Sequence, residues 1–332
     1  MAYIPSPLTY LQAVAHGDVT GKSVFTKIGY TPTCNATESD VWSNAGVFSF
    51  MSAAAGLEVV SSDNTQDVGN SNKSGTSTGG SVTTLIDSGA TFTSATAVAI
   101  GDCVLLDKSG TTPEWGYVTS VDSATQLTIS NGFSSGGTGS GRAYVVISRA
   151  AKTGAMAIKI DYLTSAYAQK YEIVILNGTS AVATINTDIF RINSFRMIAS
   201  GSTNVSKGSL TIRGLSAGTT YSFITAGYTR ARNSAYTVPA GKTLYATSLN
   251  AGAVYATGTQ YARIYLRANI EPYTMLLTNS IFYPFGETMA ANSSEELKFD
   301  LPIKFPAKTD IKVSCIGTAS TAINTVLRGW LE

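Results

Sequence analysis

The sequence predicts an all-β protein made of β-sandwich domains, a C-terminal jelly roll and an inserted small module that resembles a β-barrel. Apolar residues keep a period of two along residues 296–305, as in a half-buried strand. Asn131-Gly132 and Asn177-Gly178 are dipeptides typical of tight hairpin turns. Helical periodicity is almost absent, and turn residues are plentiful beside β-branched and aromatic ones. The residues expected on the buried face of the long strand are Leu297, Phe299, Leu301, Ile303 and Phe305.

The composition fits folded domains and gives no reason to expect a nucleic-acid or membrane partner. The 332 residues suffice for two or three β-rich domains. Hydrophobic residues make up 44% and charged residues 13%, so the chain can bury large cores. The net charge of +2 provides little attraction to nucleic acid or anionic lipid. No stretch approaches about 20 apolar residues, and residues 1–5 lack the basic start and apolar core of a signal peptide.

Residues 1–30 are expected to form an N-terminal arm. Pro5 and Pro7 break any early helix, residues 10–15 can form a turn or two of helix, and Gly17 ends it. Two interpretations of this arm are open. It either lies on a neighbouring subunit or is a loosely ordered terminus.

Residues 31–80 and 150–234 together are expected to form a β-sandwich domain, because strands recur there with almost no helical period. Within it, residues 61–80 are rich in Ser, Asn, Gly and Thr and are predicted to be a linker or long loop. Residues 81–149 interrupt this domain as a separate module. Roughly five or six short strands over so few residues predict a small barrel or rolled sheet.

Residues 235–332 are expected to form the jelly roll. Roughly six to eight strands in this span fit a jelly roll or a related sandwich. The segments that carry the strand pattern are 236–245, 262–268, 296–305, 311–316 and 323–331.

Several stretches resemble a family of tailed-bacteriophage virion proteins. Residues 41–48 (VWSNAGVF) and 57–62 (LEVVSS) resemble the family pattern VWxGGG…LEVVSSS, with Asn44 and Ala45 in place of two glycines. The strands that follow in those proteins are similar to residues 164–172, 177–179 and 190–193. Their C-terminal sandwich is similar to residues 236–242 and 306–313. A small module common in phage structural proteins is similar to residues 84–92, 101–104 and 118–128.

This resemblance implies a virion component made in the host cytoplasm. It implies a position on the capsid, neck or tail, and by analogy with other phage sandwiches a homotrimer. The expected partners are other copies of the chain and the major capsid protein or other virion proteins. The expected role is a capsid-decorating or head-associated protein that reinforces the particle through many weak contacts.

Nothing in the sequence predicts an enzyme or a cofactor. His16 is the only histidine and lies in the arm, which makes it a poor base for a catalytic triad. Glu295 and Glu296 are adjacent, and neighbours on a strand face opposite ways, so they cannot act as a carboxylate pair. A glycoside-cleaving enzyme is therefore disfavoured.

No metal site is predicted either. Three widely spaced cysteines, Cys34, Cys103 and Cys315, are expected to be buried or inert thiols and neither a zinc site nor a disulfide framework. Four aspartates of the inserted module are expected to cap turns, and their spacing matches no calcium loop. These are Asp87, Asp102, Asp107 and Asp122.

Seven strand arginines are expected mainly on outer faces, with pairing to a neighbouring subunit or the capsid lattice as the alternative. They are Arg191, Arg196, Arg213, Arg230, Arg232, Arg263 and Arg267.

The residues expected to contact the capsid or another subunit are apolar ones in the arm and in the first sandwich segment. They are Tyr3, Ile4, Leu8, Tyr10, Leu11, Trp42, Phe48 and Phe50. The alternative function is a head or tail fibre that recognises a host glycan. In that case Tyr283 and Trp330 would stack on sugar rings, whereas packing in a core or subunit interface is the competing interpretation for both.

Overall fold

The computed structural model describes residues 7–69, 71–94, 98–108, 113–130, 133, 139–255, 260–270 and 282–332. The all-β prediction is confirmed: these residues form antiparallel sheets and a closed barrel, with α1 (Pro7–His16) as their α-helix and a 3-10 turn at Arg149–Ala151. None of the described helices is long and apolar enough to cross a membrane.

The strands follow in chain order. The first nine are β1 (Ser23–Cys34), β2 (Ser39–Asp40), β3 (Leu57–Ser61), β4 (Ser71–Ser81), β5 (Thr84–Ile86), β6 (Cys103–Leu106), β7 (Glu114–Ser123), β8 (Gln126–Ile129) and β9 (Ser140–Ile147). The next six are β10 (Ala155–Leu163), β11 (Gln169–Ile175), β12 (Val182–Ala183), β13 (Arg191–Ser200), β14 (Leu210–Gly214) and β15 (Thr220–Ile224). The last seven are β16 (Tyr236–Thr237), β17 (Leu244–Ala253), β18 (Ala262–Asn269), β19 (Tyr283–Ala290), β20 (Ser294–Phe305), β21 (Asp310–Gly317) and β22 (Thr321–Leu331).

Both ends of the described chain build the jelly roll. One sheet has the order β1-β22-β17-β20, and the other has β21-β18-β19 with β2 and β16 on the free side of β21. If β2 and β16 count as one strand, the jelly roll has eight strands, which are numbered 1 to 8 here in the chain order β1, β2 with β16, β17, β18, β19, β20, β21 and β22. Their order is 1-8-3-6 in one sheet and 2-7-4-5 in the other, which is the order of a jelly roll. Side chains from both sheets, among them Phe25, Leu266 and Leu327, form one buried core.

Strand β1 crosses the boundary expected at residue 30. It pairs with β22 from Ser23↔Leu331 to Cys34↔Thr321. Residues 23–34 therefore belong to the same sheet as the C-terminal strand, although more than 280 residues separate them in sequence. Periodicity identifies such a strand but carries no information about a partner so far away.

The middle of the chain is inserted into one edge strand of the jelly roll. β2 pairs with Ser314 and Cys315, whereas β16 pairs with Asp310 and Ile311 further along the same edge. Beside that gap Val41 N–H donates to the carbonyl of Val313 at 2.8 Å. The chain thus leaves the jelly roll after β2 and returns to it at β16, and both strands pair with the same edge of β21. The insertion therefore leaves the order of the jelly-roll strands unchanged.

The inserted segment contains a second β-sandwich. Its two sheets have the orders β11-β10-β13 and β12-β3-β14-β15. They enclose a core of fully buried side chains that includes Leu57, Ile160, Phe195, Leu210 and Ile212. This is hereafter the middle sandwich.

A closed six-stranded barrel, in the order β4-β5-β8-β7-β6-β9, is in turn inserted into the middle sandwich. The prediction of a linker or long loop over residues 61–80 is wrong at its C-terminal end, because β4 covers Ser71–Ser81. This strand has mostly small polar side chains and glycines, and Ser77 alone among its described side chains is fully buried. Pairing with both β5 and β9, which closes the barrel, outweighs its low strand propensity.

The outside of the barrel packs on the outer face of the β11-β10-β13 sheet. Cys103, Leu105 and Ile147 from the barrel form one buried cluster with Met156 and Ile198. At its margin the Tyr117 hydroxyl donates to the carbonyl of Ile198 at 2.6 Å, and the Tyr171 hydroxyl donates to the carbonyl of Pro113. The barrel is therefore held to this sheet by buried apolar contacts, by a hydrogen bond that the barrel donates and by one that the barrel side accepts.

The alternating run lies in β20, and one of its five apolar residues does not face the core. Leu301 is 83% exposed. Ala246 of β17 lies opposite Ile303, but Ser248 lies opposite Lys298, so residues 299–302 bulge against Thr247 alone. The bulge breaks the period of two and turns Leu301 outward. The residues that do pack on the core are Leu297, Phe299, Ile303 and Phe305.

A buried carboxylate lies at the neck of the barrel insertion, which is the place where the chain enters and leaves the barrel. Asp67 is fully buried and accepts hydrogen bonds from the Ser61 hydroxyl at 2.7 Å and from the backbone N–H of Ala155 at 2.7 Å. It also accepts from the N–H groups of Lys207 at 2.9 Å and Gly208 at 2.7 Å. One side chain therefore joins the outgoing chain, the returning chain and a loop of the middle sandwich.

Asp67→Ala should destabilise the middle sandwich by about 3 kcal/mol, because it leaves several buried donors without an acceptor. Hydrogen exchange should accelerate first at the amides of Ala155 and Gly208, and urea unfolding measures the loss. Asp122→Ala is the matched control, since Asp122 bonds only exposed groups. Equal stability of the two variants would contradict the role of Asp67 in holding together the chain segments that enter and leave the barrel.

The expectation of buried cysteines is confirmed, since Cys34, Cys103 and Cys315 are all buried and free. Burial raises the pKa of the Cys103 thiol to about 12, so its thiolate is scarce at neutral pH. In the native protein a thiol-specific colour reagent should label less than one cysteine per chain, and in denaturant it should label all three. Fast labelling of native protein would show that the cores open readily.

Candidate functional site

The predicted arm residues are partly described, and among them Tyr10 packs on the chain itself. Tyr3 and Ile4 lie outside the described residues, and Leu8 lies in α1. In the same helix Tyr10 makes an edge-on contact with Trp330, with ring centroids 4.8 Å apart, and Leu11 is half-buried. The helix thus lies against β1 and β22 of the jelly roll.

Trp330 forms the platform on which this helix rests. Leu327 on the same strand faces the core, so Trp330, an odd number of residues away, faces outward. Its ring stacks on Tyr245 at 5.1 Å, and together with Tyr10 this leaves Trp330 only 8% exposed. Lys22 closes the end of the platform, where hydrogen bonds to Tyr10 and Glu332 raise the pKa of Lys22 to about 12.

The aromatic residues of the first sandwich segment pack at the junction between the jelly roll and the middle sandwich. Trp42 and Phe48 are 4% and 7% exposed, and their rings meet edge-on at 5.2 Å. Phe50 continues the stack at 4.9 Å from Phe48 and is half-buried. The Phe48 N–H donates to Asp40 at 2.7 Å. In this conformation the cluster offers another molecule little surface beyond Phe50.

The two residues considered for glycan binding lie in different sheets. Tyr283 begins β19 and is 52% exposed, whereas Trp330 lies in β22 beneath α1. They do not form a common stacking surface. Tyr283 instead belongs to a group of exposed apolar side chains that the sequence did not single out.

That group, here named the apolar edge, lies where β19 and β20 meet at one side of the jelly roll. Leu301 is 83%, Met289 57% and Tyr283 52% exposed. On β19 Met289 lies opposite the exposed Arg263, and Tyr283 lies opposite the core residue Ala268 near the other end of the strand. Three half-buried residues of the same two strands, Phe285, Leu297 and Phe299, pack against the core. The strands approach closely, since a Cβ on Gly286 would lie 2.9 Å from Leu297.

Charges of both signs border the apolar edge. Arg263 lies 3.9 Å from Glu287, and Lys298 lies 3.3 Å from Glu296, all at least one-third exposed. An apolar centre with a polar rim is the usual anatomy of a protein–protein interface. The alternation along residues 296–305 predicted Leu297, Phe299 and Leu301 as part of a buried face, and the position of β20 at a sheet edge was not readable from it.

Three of the aspartates considered for metal binding have ordinary structural roles. Asp87 accepts from the Gly89 N–H at 2.9 Å, and Asp102 accepts from the Ala99 N–H at 2.9 Å, as turn caps do. Asp107 pairs with Arg142 at 2.6 Å. Within the described ranges, no group of three or more His, Cys, Asp or Glu residues could hold a metal ion.

Four of the strand arginines pair with acidic groups inside the chain, including Arg263 with Glu287. The expectation of mainly outer-face arginines is wrong for Arg191, which is buried, whereas Arg213 and Arg267 alternate with core-facing residues and lie on outer faces. Arg191 is buried against Asp310 at 2.9 Å. Arg213 bonds Glu58 at 2.7 Å, and Arg267 bonds Glu38 at 2.6 Å. Each acidic partner is far away in sequence, and no local pattern could reveal it.

Removing the Tyr10 ring should uncover Trp330. We expect Tyr10→Ala to increase quenching of tryptophan fluorescence by acrylamide and to shift the emission to longer wavelength, because the indole gains water contact. Gln12→Ala, an exposed change in the same helix, should alter neither. Unchanged quenching in Tyr10→Ala would show that α1 does not cover Trp330 in solution.

Comparisons with known proteins assign no family to this chain. No family model matches it, no curated protein matches it, and no solved structure matches it. Its function must therefore be inferred from its residues and from their geometry.

Proposed function

We propose that this protein is a structural component of a bacteriophage virion. It assembles as a homotrimer that decorates the capsid or associates with the head and reinforces the particle. The sequence resemblance to phage virion proteins supports the particle, and a jelly roll is an architecture used in viral capsids and in lectins. The observation that carries the proposal is the apolar edge, which gives the jelly roll a surface suited to a protein partner.

The exposure of the apolar edge is costly for an isolated chain. Leu301, Met289 and Tyr283 lie on strands that end their sheets, where unpaired backbone groups also face outward. Exposed apolar side chains concentrated on two neighbouring edge strands and bordered by charges are a feature of interaction sites. A neighbouring copy that covers this edge would bury both the apolar side chains and the strand edges.

The nested insertions fit a mechanical role. The jelly roll, the middle sandwich and the barrel each have a separate buried core, and each adds outer surface for contacts with neighbours. Contacts on several domains of one chain act together, so individually weak contacts give strong attachment. Reinforcement of a shell requires this kind of distributed binding.

A head or tail fibre that binds a host glycan is the second candidate. The exposure of Tyr283 favours it, because an exposed aromatic ring can stack on a sugar. The covered position of Trp330 leaves Tyr283 without the second ring that this function was expected to use. Binding to host envelopes that saturates and is lost in Tyr283→Ala would favour the fibre over the decoration protein.

Leu301→Glu should weaken self-association, because it places a charge at the most exposed apolar residue of the apolar edge. Light scattering after gel filtration should give three copies of the 34.7 kDa chain for the unchanged protein and a lower mass for the variant. Sedimentation with phage particles that lack the protein should fall in parallel.

Ile100→Glu is the matched control, since Ile100 is 72% exposed on the barrel, away from the apolar edge. It should leave both mass and sedimentation unchanged. An unchanged protein that stays monomeric and does not bind particles would contradict the proposal. Images of the particle with a few copies at one vertex would exclude decoration of the capsid faces.

A further inference from the structure

A cleft between the jelly roll and the middle sandwich has the features of an anion site. Its volume is about 280 Å³, and residues 26–28 of β1 form one wall. The opposite wall comes from residues 192–195 of β13 and from Ser222, Arg230, Ala231 and Asn233. Small-molecule sites often lie between domains in this manner.

Lys27 brings a partly desolvated cation to this cleft. Its ammonium donates to the carbonyl of Asn193 at 2.6 Å and lies 5.9 Å from the centroid of the Tyr236 ring. Burial lowers the pKa of Lys27 to about 8, and the charge of Asp161 opposes this shift only in part. Among the described residues Lys27 has no ion pair within 4.0 Å.

Arg230 supplies a second cation from the other domain. It lines the same cleft and is exposed to solvent at its mouth. No carboxylate of the described chain forms an ion pair with it. The neighbouring Arg232 does not line the cleft, since its guanidinium lies over the rings of Tyr30 and Tyr228, at 3.9 and 3.8 Å from their centroids.

The edge of β1 adds a backbone donor. In an antiparallel pair, alternate residues direct both their N–H and C=O groups away from the partner strand. Tyr30 is such a residue, because its N–H donates to the carbonyl of Arg232 at 3.2 Å and not to β22. The unbroken register from Ser23 to Thr31 gives Ile28 the same direction, toward the cleft. Within the described chain no acceptor is found for the Ile28 N–H.

Polar side chains complete the lining. Ser222 is 2% exposed and borders the cleft, as do Ser194 and Asn233. A hydroxyl beside two cations and a free N–H is the donor set that oxyanions bind in proteins. None of the lining residues is acidic. The carboxylate whose charge acts on Lys27 from nearby, Asp161, forms an ion pair with Lys159.

We propose that this cleft binds the oxyanion of a small molecule, a carboxylate or a phosphate, between the Lys27 ammonium, the Ile28 N–H and the Arg230 guanidinium. The bound group would take charge-assisted hydrogen bonds from both domains at once. Occupancy would therefore tie the jelly roll to the middle sandwich. The volume suits a compact ligand and not a polymer. This site is independent of the apolar edge and of the proposed virion role.

Isothermal titration calorimetry of the full chain with inorganic phosphate, and separately with acetate, tests the site at constant ionic strength. We expect saturable binding of at least one probe, and about a tenfold loss of affinity in Lys27→Met and in Arg230→Gln. Phosphate binding alone would identify a phosphate ligand, and acetate binding alone a carboxylate. The probe that binds should also raise the melting temperature of the unchanged protein.

Lys304→Met and Arg263→Gln are the matched controls, because both remove an exposed cation from the jelly roll away from the cleft. They should bind the probe as the unchanged protein does. Arg230 is exposed, so its variant should fold even if Lys27→Met does not, and circular dichroism checks this. Binding of neither probe, or binding that the Arg230 variant and the controls share equally, would overturn the proposal.

Discussion

A buried ion pair between Arg191 and Asp310 joins the middle sandwich to the jelly roll, and the arrangement of the chain depends on this junction. The two side chains are 7% and 2% exposed and lie 2.9 Å apart. Arg191 also donates to the carbonyl of Met51, and the Thr237 hydroxyl donates to Asp310. Because Asp310 begins β21 beside β16, the pair lies where the inserted segment returns to its host domain. Loss of either partner would leave an unpaired buried charge, which typically costs about 3–5 kcal/mol.

Each inserted domain imposes the same requirement at the place where the chain enters and leaves it. An inserted domain leaves the host domain intact only if the outgoing and returning chains lie side by side. At the first neck Asp40 accepts from the Phe48 N–H and from Lys312 at 3.0 Å, while burial raises the pKa of its carboxyl. At the second neck Asp67 accepts from chains on both sides of the barrel insertion. Carboxylates suit these places because one side chain can satisfy several backbone donors at once.

The aromatic residues show how internal packing and external contact compete for the same side chains. Trp42, Phe48 and Trp330 are of residue types that are common at interfaces, yet all three are buried within the chain. Helix α1 covers Trp330, and Trp42 packs on Phe48 at the domain junction. The surfaces left for partners are different ones. One is the apolar edge, which lies at strands that end their sheets. The other is the cleft at Lys27, which lies between the jelly roll and the middle sandwich.

The sequence alone determined the all-β class, the small inserted module and most of the inward face of β20, because a period of two and turn dipeptides are local properties. It could not indicate that β1 pairs with β22, that Ser71–Ser81 closes a barrel, or that Leu301 lies on a bulge. Nor could it supply the partners of Arg191, Arg213 and Arg267. Those features depend on residues distant in sequence, and only tertiary packing decides which edges meet and which charges are buried together.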